Sequence, residues 1–359
     1  MTAVAHVGAL ALGVATVTGT LVWSSAARHV VATPARYGAN WDAVIGAGQF
    51  DSAENMPLDG QLEALNNAQA SLSVAGDNAT VLGRGIAGMV ETDGERVEVL
   101  QIEPLTGGWW PPLIAGRVPQ NDREVTVGRG LIEGGVRIGD SETLAGQSFT
   151  VVGEHVSSVW SNGEFGVTVA ARSGALSSDV IGFPNAFVFV SLTDRATADD
   201  LQATVGVGFS VGQAVDSRPN DVTNLGRVGG LTDLLLLLGI VLTFGILANG
   251  LAIATTARRR DHATLRALGA QHATIAGTVG WHATIVAAVG GALGVILGAV
   301  AGAAMWRHTA SVVFVGDALR RPWAIVLAVL VGLTGAGLLV AAAIGVSAAR
   351  RSRMRLTRE

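Results

Sequence analysis

The 359-residue sequence contains no cysteine, a single tyrosine and, although 24 residues count as lysine or arginine, no lysine among them. Lack of cysteine removes disulfides, thiolate nucleophiles, iron–sulfur ligation and thiolate zinc sites together. Lack of lysine excludes a Walker-type phosphate loop, which needs that side chain to reach the nucleotide phosphates, and it excludes Schiff-base chemistry as well. Charge is scarce: 14% of residues are charged and 49% are hydrophobic. With a mean hydropathy of +0.45, this lies outside the usage of ordinary soluble domains. The class that remains is a membrane protein whose hydrophilic part folds without covalent staples.

The charges divide the chain. Between Ser24 and Gly229 stand 24 acids and 12 arginines, and the remainder holds 4 acids and 12 arginines, so balances of −12 and +8 make up the net −4. A nucleic-acid-binding domain concentrates positive charge on its folded surface. Here the sizeable hydrophilic domain is acidic, and no nucleic-acid partner is expected.

Four stretches have the roughly 20 apolar residues that a bilayer span needs: Val4 to Trp23, Leu234 to Thr256, about Ile275 to Ala304, and Trp323 to Val346. The first lacks the positively charged start of a secretory signal peptide and reads as an uncleaved anchor. Orientation follows from arginine bias in the short loops. Arg258, Arg259, Arg260 and Arg266 lie between spans two and three, and Arg350, Arg351, Arg353, Arg355 and Arg358 follow span four. Both sets are expected in the cytoplasm, with both termini, in a cell (plasma) membrane. Trp23, Trp306 and Trp323 fall at outer span ends, where an indole suits the lipid interface.

The fold expected is therefore an α-helical membrane protein with four transmembrane helices, one plus three, and an α+β extracytoplasmic domain between the first and second. Its parts are an N-terminal helix (1–27), the extracytoplasmic domain (28–229), the second helix (230–257), a cytoplasmic segment (258–274), the third and fourth helices with a short outer loop (275–349), and a basic cytoplasmic tail (350–359). In span three, Gly290, Gly294, Gly298 and Gly302 recur every four residues. Such a stripe lets another helix approach at backbone contact. Span two, span four or a second subunit are the partners considered for it.

Within the hydrophilic domain, Glu124 to Gly128, Ser148 to Val156 and Ala186 to Leu192 read as strands. Leu58 to Ser73 and Thr193 to Val205 read as helices with Asp near their starts. Trp109, Trp110, Pro111 and Pro112 form a rigid aromatic cluster, for which buried packing is the commoner role and contact with lipid or peptide the alternative. The acids show no paired or metal-spaced arrangement and read as a solvated surface.

Catalytic patterns are absent. His262, His272 and His282 each open a His-Ala-Thr triplet, but ten-residue steps on a helix set them roughly 80° and about 15 Å apart, too far to share a metal. There is no H-E-x-x-H pair and no G-x-S-x-G elbow. The spans carry no internal charge apart from Asp233 at the edge of span two, so the proton relays of many secondary transporters are missing. The chain is expected to be no enzyme and to hold no cofactor or metal of its own.

The segment ARRRDHATLRALGA, residues 257–270, follows span two. It resembles the RRRE-x-x-x-LRALG signature of the FtsX-like ABC transporter permeases, the family that includes the MacB and LolC/LolE types. Asp261 occupies the acidic position, and Leu265, Arg266, Ala267, Leu268 and Gly269 match the rest. Residues 116–156 are similar to part of the MacB-like periplasmic core domain, in which an EV-x-x-G strand leads to a GD turn and an FTVVG strand. Residues 281–302 and 33–44 look like the second half of long actinobacterial permeases of this family. The tail lacks the family's usual proline-containing ending, and the chain starts almost at span one, which suggests a half-permease or a piece of a two-repeat protein.

The resemblance implies a permease subunit whose ATP is bound by a separate ABC ATPase subunit. It implies a homodimer, or a heterodimer with a second permease, in contact with membrane lipid. Arg258, Arg259, Arg260, Asp261, Leu265, Arg266, Leu268 and Gly269 would form the ATPase-coupling surface. The expected function is export or extraction of a hydrophobic or amphipathic cargo. The alternatives are a non-transporting subunit that transmits ATPase motion to an extracytoplasmic enzyme and a membrane adaptor without ATPase.

Overall fold

A computed structural model describes residues 2–47, 56–75, 78–92, 95–157, 164–193, 196–206, 208–257 and 272–317, together with 327, 331, 332 and 335. Two compact units emerge. One comprises residues 1–28, 227–307 and 318–359, the other residues 29–226 and 308–317.

Among the described residues, the first unit is helical. Its long helices are α1 (Thr2–Ala32), α5 (Asn220–Ala257) and α6 (His272–Val312), with 31, 38 and 41 residues. At 1.5 Å per residue the longest reaches about 60 Å, well beyond a bilayer core of about 30 Å. Three helices among the described residues are long and apolar enough to cross a membrane, over Val7–Ala32, Asn220–Ile246 and Thr284–Val312. The chain is a membrane protein. Span four of the sequence reading lies, apart from isolated positions, outside the described residues. Helix α5 starts well before the apolar run from Leu234, because Asn220, Asp221 and Asn224 extend the same helix beyond the length lipid requires. Hydroxyls within these helices turn back on their own backbone: Thr16 and Thr243 donate to the Leu12 and Gly239 carbonyls at 3.0 and 2.7 Å. That is the arrangement lipid demands where water is absent.

The second unit is α+β. Its strands among the described residues are β1 (Ala43–Ala47), β2 (Ala79–Thr92), β3 (Glu95–Pro104), β4 (Leu113–Gly116), β5 (Glu124–Gly128), β6 (Ser141–Leu144), β7 (Gln147–His155), β8 (Thr168–Arg172), β9 (Gly182–Leu192) and β10 (Phe209–Gln213). They form one sheet in the order β10-β1-β9-β2-β3-β8-β5-β7-β4, with β6 also on β7. Pairs β3/β8 and β5/β7 are parallel, and the other pairs antiparallel. The helices of this unit are α2 (Leu58–Ala75), α3 (Arg129–Glu133) and α4 (Ala198–Val205).

All five residues of β1 are buried, so both faces of the sheet are covered there. On one face Ile45, Val188 and Val190 meet Leu65, Ala68 and Leu72 of α2 and Leu201 of α4. On the other face Phe189 stacks on Trp109 at 4.4 Å and lies 6.2 Å from Trp41. Glycine makes the room: a Cβ on Gly85 would stand 2.8 Å from the Phe189 ring, and one on Gly83 would stand 3.1 Å from Trp109. A second core gathers Val99, Val125, Val127, Phe149, Val151 and Val169. Helix α4 opens on a capping box in which the Asp200 amide donates to Thr197 Oγ1 at 3.2 Å and the Thr197 amide to Asp200 Oδ2 at 2.9 Å.

Candidate functional site

The coupling residues Arg258, Arg259, Arg260, Asp261, Leu265, Arg266, Leu268 and Gly269 lie outside the described residues. The glycine stripe lies within them. Gly290, Gly294, Gly298 and Gly302 are buried along one side of α6, and Trp306 and Ala310 continue the same row. Their neighbour is α1, the span absent from the partners weighed for the stripe. A Cβ on Gly290 would stand 3.2 Å from the Val7 carbonyl, one on Gly294 2.6 Å from that of Ala11, and one on Gly302 2.5 Å from that of Gly19. A Cβ on Gly298 would sit against the Ala15 carbonyl and 2.8 Å from Thr18 Cβ. Glycine and carbonyl advance together by four residues, so the two helices run parallel. Where no side chain intervenes, Cα–H groups face carbonyl oxygens, a weak attraction repeated along the seam. A signal for this partner stood in span one: Ala11, Ala15 and Gly19 repeat the same spacing.

Helix α5 meets α1 in the opposite sense. A Cβ on Gly13 would lie 2.7 Å from Thr243 Oγ1, and one on Gly239 3.3 Å from Val17. Farther along, Arg28 pairs with Asp233 at 3.2 Å, both about half exposed. Asp233 is therefore one half of a surface ion pair. The outward faces of α5 and α6, with Leu234, Leu238, Leu242, Leu293 and Val300 more than 45% exposed, suit lipid. Trp306 is fully buried rather than set out toward the interface, while Trp23 is half-buried.

In the α+β unit, two chain entries are fastened side by side. The Tyr37 hydroxyl, in the short turn Pro34–Tyr37 after α1, donates to the Ala214 carbonyl at 3.3 Å, and Arg218, just before α5, lies 6.0 Å from the Tyr37 ring centre. Trp109 and Trp110 are both buried, and Trp110 Nε1 donates to Thr126 Oγ1 at 3.1 Å. That settles the aromatic cluster as packing, one of its two readings.

Polar groups lie deep near the end of β5. His155 Nε2 and the Thr168 hydroxyl share a hydrogen bond at 3.1 Å, and both residues are buried. The imidazole on β7 reaches β8 across Gly128, where a Cβ would stand 2.9 Å from Thr168 Oγ1. Burial pushes His155 down to about 3. Beside it, Arg129 stands 3.8 Å from both Glu133 and Glu154 and donates from Nη1 to the Val315 carbonyl at 3.1 Å. Desolvation raises Glu154 against the opposing pull of Arg129, with Asp317 and Glu133 adding to the rise. On the surface, Arg117 grips Glu124 with two hydrogen bonds at 2.6 and 2.7 Å. Those bonds, with the Gln120 amide, lower Glu124 to about 2. The sequence reading singled out none of these groups, because an isolated Arg or His carries no periodic signal.

No curated relative matches the chain. Among solved structures, the periplasmic region of MacB from Actinobacillus actinomycetemcomitans matches at 13% identity and a TM-score of 0.30, over 50% of this chain and 91% of that one. The extracellular domain of the noncanonic ABC-type transporter YknZ from Gram-positive bacteria matches at 14% identity and a TM-score of 0.27, over 46% and 88%. Residues 234–355, which take in most of α5, all of α6 and the arginine-rich segment between them, match the FtsX-like permease C-terminal family model. Over that C-terminal part, the chain is similar to the FtsX-like permeases.

Proposed function

We propose that the chain is the membrane permease subunit of an FtsX/MacB-type ABC transporter, which couples ATP hydrolysis by a separate ATPase chain to export or extraction of a hydrophobic or amphipathic cargo. The match over residues 234–355 carries this reading, since it includes the whole segment 258–270. Without lysine the chain cannot supply a Walker-type site itself, so the nucleotide belongs to the partner. In this reading Leu265 and Leu268 fill a groove on the ATPase, and Arg258, Arg259, Arg260 and Arg266 orient the contact. Trp323 to Val346 is the fourth span, both termini are cytoplasmic, and the α+β domain stands outside. The parallel run of α1 and α6 and the opposite run of α5 fit that topology.

The test is recovery of a Walker-motif ATPase with the C-terminally tagged chain, extracted from its own host in mild detergent. Leu265→Asp or Leu268→Asp is expected to lower ATPase recovery at least about tenfold, the scale of a lost apolar anchor. Undiminished recovery with either variant would overturn the docking assignment. A folded chain that brings down no ATPase points to an adaptor. ATPase activity in the reconstituted complex that no lipid, lipoprotein or peptide raises points to transmission toward an outer enzyme.

A further inference from the structure

Two of the long helices reach the α+β unit through peptide bonds: α1 through residues 33–42 into β1, and β10 through residues 214–219 into α5. Helix α6 leads into no strand or helix of that unit among the described residues. Its last turn and the residues after it, His308–Asp317, nevertheless belong to that unit. What fastens them is non-covalent.

The fastening is specific in shape. Helix α6 ends on a left-handed cap, in which the Val315 amide donates to the Ala310 carbonyl at 3.0 Å and Phe314, at φ +53°, holds the position glycine ordinarily takes. A bulky residue in that conformation is strained, so something must retain it. Its ring rests where Gly166, at φ +85°, has no side chain: a Cβ there would lie 2.5 Å from Phe314 Cγ and 2.7 Å from Cδ2. The Gly166 carbonyl is held in turn by the Gly130 amide at 2.8 Å. Val315 is fully buried, and its carbonyl accepts the Arg129 hydrogen bond at 3.1 Å. Arg129 makes no hydrogen bond through Nε, and its two carboxylates stay at 3.8 Å. Its directional bond is thus spent on the strap, while Glu133 and Glu154 keep the cation in place.

We propose that residues 313–317 form a non-covalent clasp that fastens the end of α6 to the β5–β8 part of the sheet, with Gly166 as its seat and Arg129 as its catch. Unlike a peptide link, such a fastening can open without breaking the chain. Its use in passing helix movement to the domain rests on the permease reading; the clasp itself does not.

The chain has no cysteine, so Val315→Cys introduces a unique thiol at a buried position with little change of volume. In lipid nanodiscs, its modification by a water-soluble maleimide is expected to be at least about tenfold slower than that of Asp122→Cys on the exposed surface, as for a site reached only through local opening. Adding Arg129→Gln, or adding Phe314→Gly, which keeps the left-handed cap and leaves the sheet untouched, is expected to raise the Val315→Cys rate about tenfold or more. Equal rates at Val315→Cys and Asp122→Cys, or a rate that neither added variant changes, would overturn the clasp. No ATPase enters the measurement. Failed ATPase recovery beside slow, variant-sensitive labelling removes the permease reading and leaves the clasp standing.

Discussion

His155 shows how one buried group sets a response to acid. Its folded pKa is depressed to about 3 from 6.5 by burial, so the folded protein holds it neutral while the unfolded chain takes a proton below 6.5. The stability it contributes is complete above 6.5 and is lost as pH falls toward 3. Thr168→Val removes the hydroxyl that partners the ring and is expected to cost about 1–3 kcal/mol, the scale of a buried polar group left unpaired; thermal unfolding at pH 7 checks it. Glu124 acts in a lower window. Its folded pKa, about 2 against 4.5, is depressed mainly by the hydrogen bonds from Arg117, so its contribution is present above 4.5 and lost as pH falls through 2. Arg117→Gln is expected to flatten the stability curve between those values. An unchanged slope in acid denaturation followed by tryptophan fluorescence would refute that expectation.

Among the elements, the seam between α1 and α6 is the most demanding, because carbonyls of one helix lie where side chains of the other would begin. Gly294→Leu or Gly298→Leu is expected to cost at least about 1–3 kcal/mol through overpacking and to lower the melting temperature in detergent. Gly8→Leu is the control, since nothing lies within 4 Å of a Cβ there, and it is expected to have little effect. Equal melting of all three variants would count against the seam. The sheet was legible in part. The strand expected from Glu124 to Gly128 is β5 residue for residue, and the helix expected from Leu58 to Ser73 ends two residues short of α2. Alternation and Asp near a helix start are local signals that tertiary packing did not override. Strand β1, buried at every position, lacks such alternation, so no period-two signal marks it.

At the scale of the molecule, topology is the open test. A cysteine introduced at Asp122 is expected to react with an impermeant maleimide on intact cells, and one at Arg355 only after permeabilisation; the reverse pattern would invert the proposed orientation. The sequence by itself determined that the chain lies in a membrane, carries an acidic α+β domain between its first and second spans, and lacks the means to bind ATP in the Walker manner. These are sums over residues, or patterns of one helix or strand, and do not depend on what packs against what. Tertiary structure alone decided that the glycine stripe faces the first span, that Trp109 and Trp110 are packed inside, and that Arg129, Gly166 and Phe314 meet after separations of 37 and 148 residues. The physical reason is common to all three. A glycine states that something comes close but not what, and a lone arginine states a charge but not its partner, so the identity of the neighbour is set only when distant segments are brought together.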